Sequence, residues 1–131
     1  MSKHILCDTN IVVRYLLGEE TPQGLKATEL LDKAQAGQSK ILIIESVFVE
    51  TIFVLSKFYK VPRDKLAFTL RDFLNYRGII SDHKSIWINA LQIYASTNLH
   101  IVDCILAAKT QESNLELVTF DKDLEKYLSS N

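Results

Sequence analysis

Four acidic residues stand beside or within apolar runs of the sequence: Asp8, Glu50, Asp103 and Asp121. Asp8 and Asp121 each close an apolar run, whereas Glu50 and Asp103 each interrupt one. A buried carboxylate without a partner is so costly that it normally takes up a proton instead. Several acids in apolar surroundings therefore need a compensating positive charge, which a hard divalent cation with oxygen ligands supplies. The pattern predicts that these acids bind a metal ion.

The composition limits the class of protein. The chain has 131 residues, of which 47% are hydrophobic and 24% charged, and this indicates a single globular domain over residues 1–131. No apolar stretch approaches the roughly 20 residues that span a bilayer, and the start is too brief for a secretory signal. We expect Cys7 and Cys104 to be free thiols in a reducing compartment, with the cytoplasm as the default location.

The net charge of −1 does not by itself indicate a nucleic-acid-binding protein. One segment nevertheless concentrates bases with few acids between them: Lys57, Lys60, Arg63, Lys65, Arg71 and Arg77. Such a patch can receive a phosphate backbone, and the alternative is a solvated helix face. Arg14, one turn beyond Asp8, also has two interpretations: contact with a phosphate of the cleaved strand, or an ion pair with a surface acid.

Short apolar runs alternate with helical patterns along the chain. Strands are predicted at His4–Asp8, Ile41–Ile44, Ile79–Ser81 and Leu117–Phe120. Helices are predicted at Ile11–Leu17 with Asn10 as N-cap, Leu25–Ala36, Val47–Tyr59 with Ser46 as N-cap, Arg63–Asn75, Ser85–Ser96, Ile101–Gln111 and Lys122–Leu128. Aromatic residues at helical spacing are predicted to lie in the core: Phe48, Phe53, Phe58, Trp87 and Tyr94. The alternation predicts an α/β layer structure with a mainly parallel sheet.

This architecture can bring the four acids together, because ligands collect outside the carboxyl ends of parallel strands. Asp8 and Asp121 follow the first and last predicted strands, and they emerge at one edge if those strands are adjacent. Glu50 and Asp103 lie about one turn into helices that start near this edge. Each acid also has a structural alternative: Asp8 and Asp121 can be caps, and Asp103 can interact with a helix dipole. The alternative is weakest for Glu50, because the exposed face of its helix is predicted to be narrow.

Other chemistries have little support in the sequence. The four glycines form no phosphate-binding loop, and the cysteines lack the paired spacing of a zinc site. The histidines His4, His83 and His100 are scattered and are expected at the surface or in loops. No Gly-x-Ser-x-Gly motif of a serine hydrolase is present.

The acidic motifs, taken in order, resemble those of the PIN domain family. Asp8-Thr9-Asn10 resembles the family's opening motif, and Glu50 within an apolar helix resembles its central glutamate. Asp103 in Val-Asp-Cys-Ile-Leu-Ala-Ala and Asp121 in Val-Thr-Phe-Asp match the third and fourth motifs. No one motif is specific, but the ordered set covers nearly the whole chain. The short length is similar to that of VapC-type toxins, the ribonuclease halves of toxin–antitoxin pairs.

The resemblance implies a three-layer α/β/α fold and a ribonuclease that depends on Mg²⁺ or Mn²⁺. It implies that Asp8, Glu50, Asp103 and Asp121 bind one or two ions and catalyse cleavage. It also implies a homodimer and a cognate antitoxin protein that inhibits by occupying the active groove. One departure is Cys104, which follows Asp103 where a small residue such as alanine is common in the family.

Supporting roles follow for residues near these motifs. Asn10 and Thr119 are predicted to orient carboxylates by hydrogen bonds, although both can simply cap helices or close turns. The residues predicted to contact RNA are Arg14, Lys57, Lys60 and Arg63. Two other functions remain open: a metal-dependent DNA nuclease or phosphatase that uses the same acids, and a non-catalytic PIN-like module that dimerises and binds a partner.

Overall fold

The computed structural model describes residues 4–130, which form a small parallel sheet flanked by helices in three α/β/α layers. The strands are β1 (Ile5–Leu6), β2 (Ile41–Leu42) and β3 (Ile79–Ile80). The helices are α1 (Thr9–Leu17), α2 (Pro22–Gln35), α3 (Glu45–Lys57), α4 (Arg63–Leu74), α5 (Lys84–Ser96), α6 (Ile101–Ser113) and α7 (Lys122–Ser130). The three-layer fold class predicted from the sequence is confirmed.

The sheet has the order β1-β2-β3, and both pairs of strands are parallel. Ile41 is central, since it is paired with Ile5 on one side and with Ile79 on the other. Ile41 of β2 and Ile79 of β3 are buried, as expected for parallel strands linked by helical crossovers, whereas Ile5 and Leu6 of β1 are exposed. No helix within residues 4–130 has the length and apolar character required to cross a membrane.

The prediction of a fourth strand at Leu117–Phe120 is wrong. This segment has no strand pairing, and β1 therefore lies at the edge of the sheet. Val118 is 81% exposed and Phe120 is 97% exposed. The hydroxyl of Thr119 accepts a hydrogen bond from the backbone N–H of Asp121 at 3.0 Å. A side chain that binds nearby backbone in this way favours a turn over an extended strand.

Three predicted helix starts differ from the structure by two or three residues. Asp8, rather than Asn10, is the N-cap of α1, because its carboxylate accepts the Ile11 N–H at 3.1 Å. Helix α3 begins at Glu45 after Ile44, so Ser46 is not its cap. Helix α2 begins at Pro22 instead of Leu25, because Thr21 caps it and proline suits the first helical position.

The core is one hydrophobic cluster that holds helices and sheet together. At its centre the rings of Phe48 and Trp87 stack with centroids 4.5 Å apart and planes at 5°. Tyr94 is also buried, as predicted. The core prediction is wrong for Phe53 and Phe58, which lie on the solvent side of α3 and its end and are 50% and 67% exposed. One face of α3 therefore presents aromatic surface to solvent.

Candidate active site

Asp8 and Asp121 lie in two similar turns, each directly before a helix. The Asp8 carboxylate accepts the N–H of Ile11, and the Asp121 carboxylate accepts the N–H of Leu124 at 2.9 Å. Both acids are exposed. In each cap, one carboxylate oxygen accepts the backbone N–H and so fixes the orientation of the side chain. The second carboxylate oxygen remains available as an acceptor. The capping interpretation is therefore confirmed for both residues, and it is compatible with a role in binding.

Asp103 lies in the first turn of α6 and is partly buried. Loss of solvent raises the pKa of its carboxyl group, and the negative charge of Asp121 raises that pKa further, while His100 lowers it. Asp103 and Asp121 therefore lie close enough for their charges to act on each other, although Asp103 belongs to α6 and Asp121 directly precedes α7. We call these two residues the acidic pair, because they come from the third and fourth sequence motifs and lie within electrostatic range of each other.

Glu50 lies on the exposed side of α3. It lines a groove of about 690 Å³ together with His100, Ile101 and Val102. Glu45, at the start of α3, instead lies 3.6 Å from Lys109 in the second half of α6. The two helices therefore run in opposite directions, and Glu50 flanks the start of α6, where Asp103 is located.

The four predicted acids do not form a single closed cluster. Within residues 4–130, no three acidic, histidine or cysteine side chains are arranged so that they could hold a metal ion. The expectation of apolar surroundings is wrong for Asp8, Glu50 and Asp121, which are exposed, because they lie at helix starts or on a solvent-facing stripe. Metal binding and catalysis by the four acids remain predictions.

Thr119 contacts the backbone of Asp121 rather than its carboxylate, and so it shapes the turn that presents this acid. Asn10 is exposed in the first turn of α1. Orientation of carboxylates by these two side chains remains a prediction.

The four bases predicted to contact RNA differ in their surroundings. Arg14 pairs with Glu19 at 3.4 Å, which is the surface ion pair anticipated as the alternative. The Arg63 guanidinium donates to the carbonyls of Tyr94 and Leu99 and lies 3.6 Å from the Tyr94 ring centroid. Lys57 and Lys60 are both exposed at the end of α3. RNA contact by these residues remains a prediction, and the two lysines have the more accessible charges.

Two residues, Glu45 and His100, make contacts near the candidate site that the sequence did not predict. Glu45 accepts a hydrogen bond from the Trp87 indole N–H at 3.0 Å and pairs with Lys109, so it ties α3 to α5 and α6. His100 directly precedes α6, acts electrostatically on Asp103 and lines the groove beside Glu50. The sequence around His100 has no feature that distinguishes this histidine from an ordinary surface residue.

Burial makes both cysteines poor nucleophiles. It raises the pKa of the Cys104 thiol to about 12, and it also raises the pKa of Cys7. Both thiols are free. Cys104 therefore belongs to the hydrophobic core, and a reactive role in the site is not expected of its thiol.

Comparison with known proteins agrees with the family resemblance noted in the sequence. The PIN domain family matches residues 5–128 of the chain. A VapC ribonuclease of Aquifex aeolicus (strain VF5) is 24% identical over 122 residues, which cover 92% of the chain and 90% of that protein. The chain belongs to the PIN domain family.

Proposed function

We propose that this protein is a metal-dependent endoribonuclease, the toxin of a toxin–antitoxin pair. The observation that supports it most is that Asp103, at the start of α6, lies within electrostatic range of Asp121, directly before α7. Membership of the PIN domain family and the similarity to a VapC ribonuclease support the same function.

The acidic pair suits Mg²⁺ or Mn²⁺. Magnesium keeps several of its waters and is usually bound by one or two carboxylates together with substrate phosphates. Asp103 and Asp121 are the proposed direct ligands, and Asp8 and Glu50 complete the site directly or through water. A bound ion of this kind lowers the pKa of a water molecule so that it can attack a phosphodiester. Thr119 maintains the turn that presents Asp121, and Asn10 supports Asp8.

The RNA strand approaches from the end of α3. Lys57 and Lys60 provide exposed positive charge there, which attracts phosphates without selecting a base sequence. Arg14 is paired with Glu19, and Arg63 donates hydrogen bonds to backbone carbonyls. These two arginines therefore contribute mainly to the positive electrostatic potential around the RNA. Such a site would act in the cytoplasm, where both its RNA substrate and reduced thiols are found.

Two protein partners belong to the proposal: a second copy of the chain and a cognate antitoxin. Phe58 and Tyr59, exposed at the end of α3, offer apolar surface for such an association. The antitoxin would inhibit by occupying the groove beside Glu50. Its gene is expected directly upstream, and its product should suppress RNA cleavage when the two are co-expressed.

The direct test is cleavage of single-stranded RNA with Mg²⁺, with Mn²⁺ and with a chelator. We expect cleavage only with metal, and none by Asp103→Asn or Asp121→Asn. Asp123→Asn, two residues from Asp121, is the matched control and should cleave like the unmodified protein. Cleavage that persists in the chelator would refute metal dependence.

Other substrates separate the remaining functions. Hydrolysis of DNA or of simple phosphate esters, with RNA left intact, would indicate the alternative nuclease or phosphatase. Partner binding that survives Asp103→Asn, without hydrolysis of any substrate, would indicate a non-catalytic module.

A further inference from the structure

The groove beside Glu50 has features that acid-dependent hydrolysis does not require. It lies between α3, the end of α5 and the start of α6, and it encloses about 690 Å³. One wall is a stripe along α3, formed by Ser46, Glu50, Phe53 and Lys57. Their spacing of three or four residues places them on one helix face. An acid, an aromatic ring and a base therefore follow each other along the same wall.

Phe53 is the unusual member of this wall. Its side chain is 50% exposed, whereas Phe48, Ile52 and Leu55 of the same helix are buried. The Lys57 ammonium lies 5.1 Å from the centroid of its ring, within the range of a cation–π interaction. The exposed ring thus combines a flat apolar face with an adjacent positive charge.

A flat ring beside a cation matches the two parts of a nucleotide. Aromatic side chains stack on unpaired bases irrespective of base type, and a neighbouring lysine binds the backbone phosphate. Asn98 and His100 line the groove and carry groups that can donate and accept hydrogen bonds, as the edges of a base require. Lys57 and Arg63 place two positive charges in the lining against the one negative charge of Glu50, and this balance complements a phosphate better than it complements an apolar protein helix.

We propose that Phe53 stacks one unpaired base of a single-stranded RNA while Lys57 binds the phosphate next to it. The inference rests on the proposed nuclease function, because the groove serves cleavage only if Glu50 belongs to the cleavage site. It adds a requirement that the substrate be unpaired at this position, since a base within a duplex cannot stack on a protein ring. Single-stranded loops and ends are the expected substrate class.

The chain offers a matched control on another surface. Phe68 on α4 is 64% exposed, and the Arg71 guanidinium carbon lies 5.7 Å from its ring centroid. It therefore has a similar exposure and a similar cation, but it is outside the groove that contains Glu50. Phe53→Leu and Phe68→Leu each remove an aromatic face and retain an apolar side chain.

The test measures binding of a single-stranded RNA that contains 2-aminopurine, in chelator so that the RNA stays intact. We expect the full-length protein to quench the fluorescence, and Phe53→Leu to lose the quenching and weaken binding tenfold or more. Phe68→Leu should stay within twofold of the unmodified protein, and Lys57→Met should weaken binding and reduce its salt dependence. Equal behaviour of the two leucine variants would overturn the proposal.

Two further outcomes keep this proposal distinct from others. If Phe53→Leu and Phe68→Leu cleave RNA with metal at equal kcat/KM, Phe53 has no base-binding role. The proposed nuclease function would still stand. If RNA binding depends on Phe53 but no metal-dependent cleavage occurs, the base-binding role is supported and the proposed nuclease function is contradicted. Loss of antitoxin binding by Phe53→Leu with unchanged RNA affinity would identify the groove as a protein interface and overturn the proposal.

Discussion

Arg63 provides a test of whether a basic residue in the Lys57–Arg77 segment serves RNA or the fold. Its Nε donates to the Tyr94 carbonyl at 2.9 Å, and an Nη donates to the Leu99 carbonyl at 2.5 Å. The same guanidinium stacks on the Tyr94 ring. Arg63 therefore joins the start of α4 to the end of α5 and the loop that precedes α6. We predict that Arg63→Ala mainly lowers the free energy of unfolding.

The expected size follows from these contacts. A hydrogen bond from a charged donor contributes about 1.5–3 kcal/mol, and a cation–π contact adds about 0.5–2 kcal/mol. The contributions of one side chain are not additive, and Arg63 is only partly buried. We therefore expect a loss of about 2–4 kcal/mol for Arg63→Ala. Arg63→Lys keeps the charge but loses the planar fork, so it should lose about 1–2 kcal/mol.

The measurement is urea unfolding followed by circular dichroism. Arg63→Ala should lower the midpoint by roughly 1–2 M at an unchanged slope. Lys65→Ala, an exposed base on the same helix, is the control and should change stability by less than about 0.5 kcal/mol. The reasoning is refuted if Arg63→Ala unfolds like Lys65→Ala. A lower salt dependence of RNA binding in such a variant would then assign the guanidinium to phosphate contact.

Three other predictions address charge, pH and packing. Reversal of Lys57 and Lys60 to Glu should weaken RNA binding and flatten its dependence on salt, as measured by titration at several salt concentrations; unchanged binding would place the patch elsewhere. Because the folded-state pKa of Asp103 is raised, its ionised form opposes folding at neutral pH. Asp103→Asn should therefore raise the thermal midpoint at pH 7, and the gain should vanish below about pH 4, where the native carboxyl is protonated. Gly78→Ala would place Cβ 1.9 Å from the Ser39 carbonyl oxygen and should cost at least about 2 kcal/mol in chemical unfolding. This should exceed the cost of Gly18→Ala, where Cβ meets nothing within 4 Å and only the positive φ of 66° opposes alanine.

The sequence predicts the layer order well because its apolar runs are short and separated by helix-ending residues. Ile41–Leu42 and Ile79–Ile80 form strands inside the predicted segments. Helix starts are harder to place, because Asp8 and Asn10 are both good caps and only local geometry decides between them. The last predicted strand failed because a strand also requires a pairing partner, which the apolar run Leu117–Phe120 does not specify.

The sequence names the acids that are candidates for the site, but it does not predict how the fold arranges them. Apolar neighbours along the sequence suggested that Glu50 and Asp121 would be shielded from solvent, yet a helix or turn can direct one side chain outward from such a run. The exposure of Phe53 was missed for the same reason. The proximity of Asp103 to Asp121 depends on how α6 packs against α7. The spacing of residues along the sequence does not predict this packing.

The outer edge of β1 affects how the protein behaves among its own copies. A strand at the end of a sheet can template pairing with any extended chain that reaches it. Here the edge includes Leu6, which is 68% exposed, and the chain also presents Val118 and Phe120 in an unpaired apolar stretch. Each molecule therefore carries both an acceptor edge and a donor segment for intermolecular β-pairing. Crowding during overproduction would favour strand exchange and aggregation, and a bound partner that covers this edge would keep the protein dispersed.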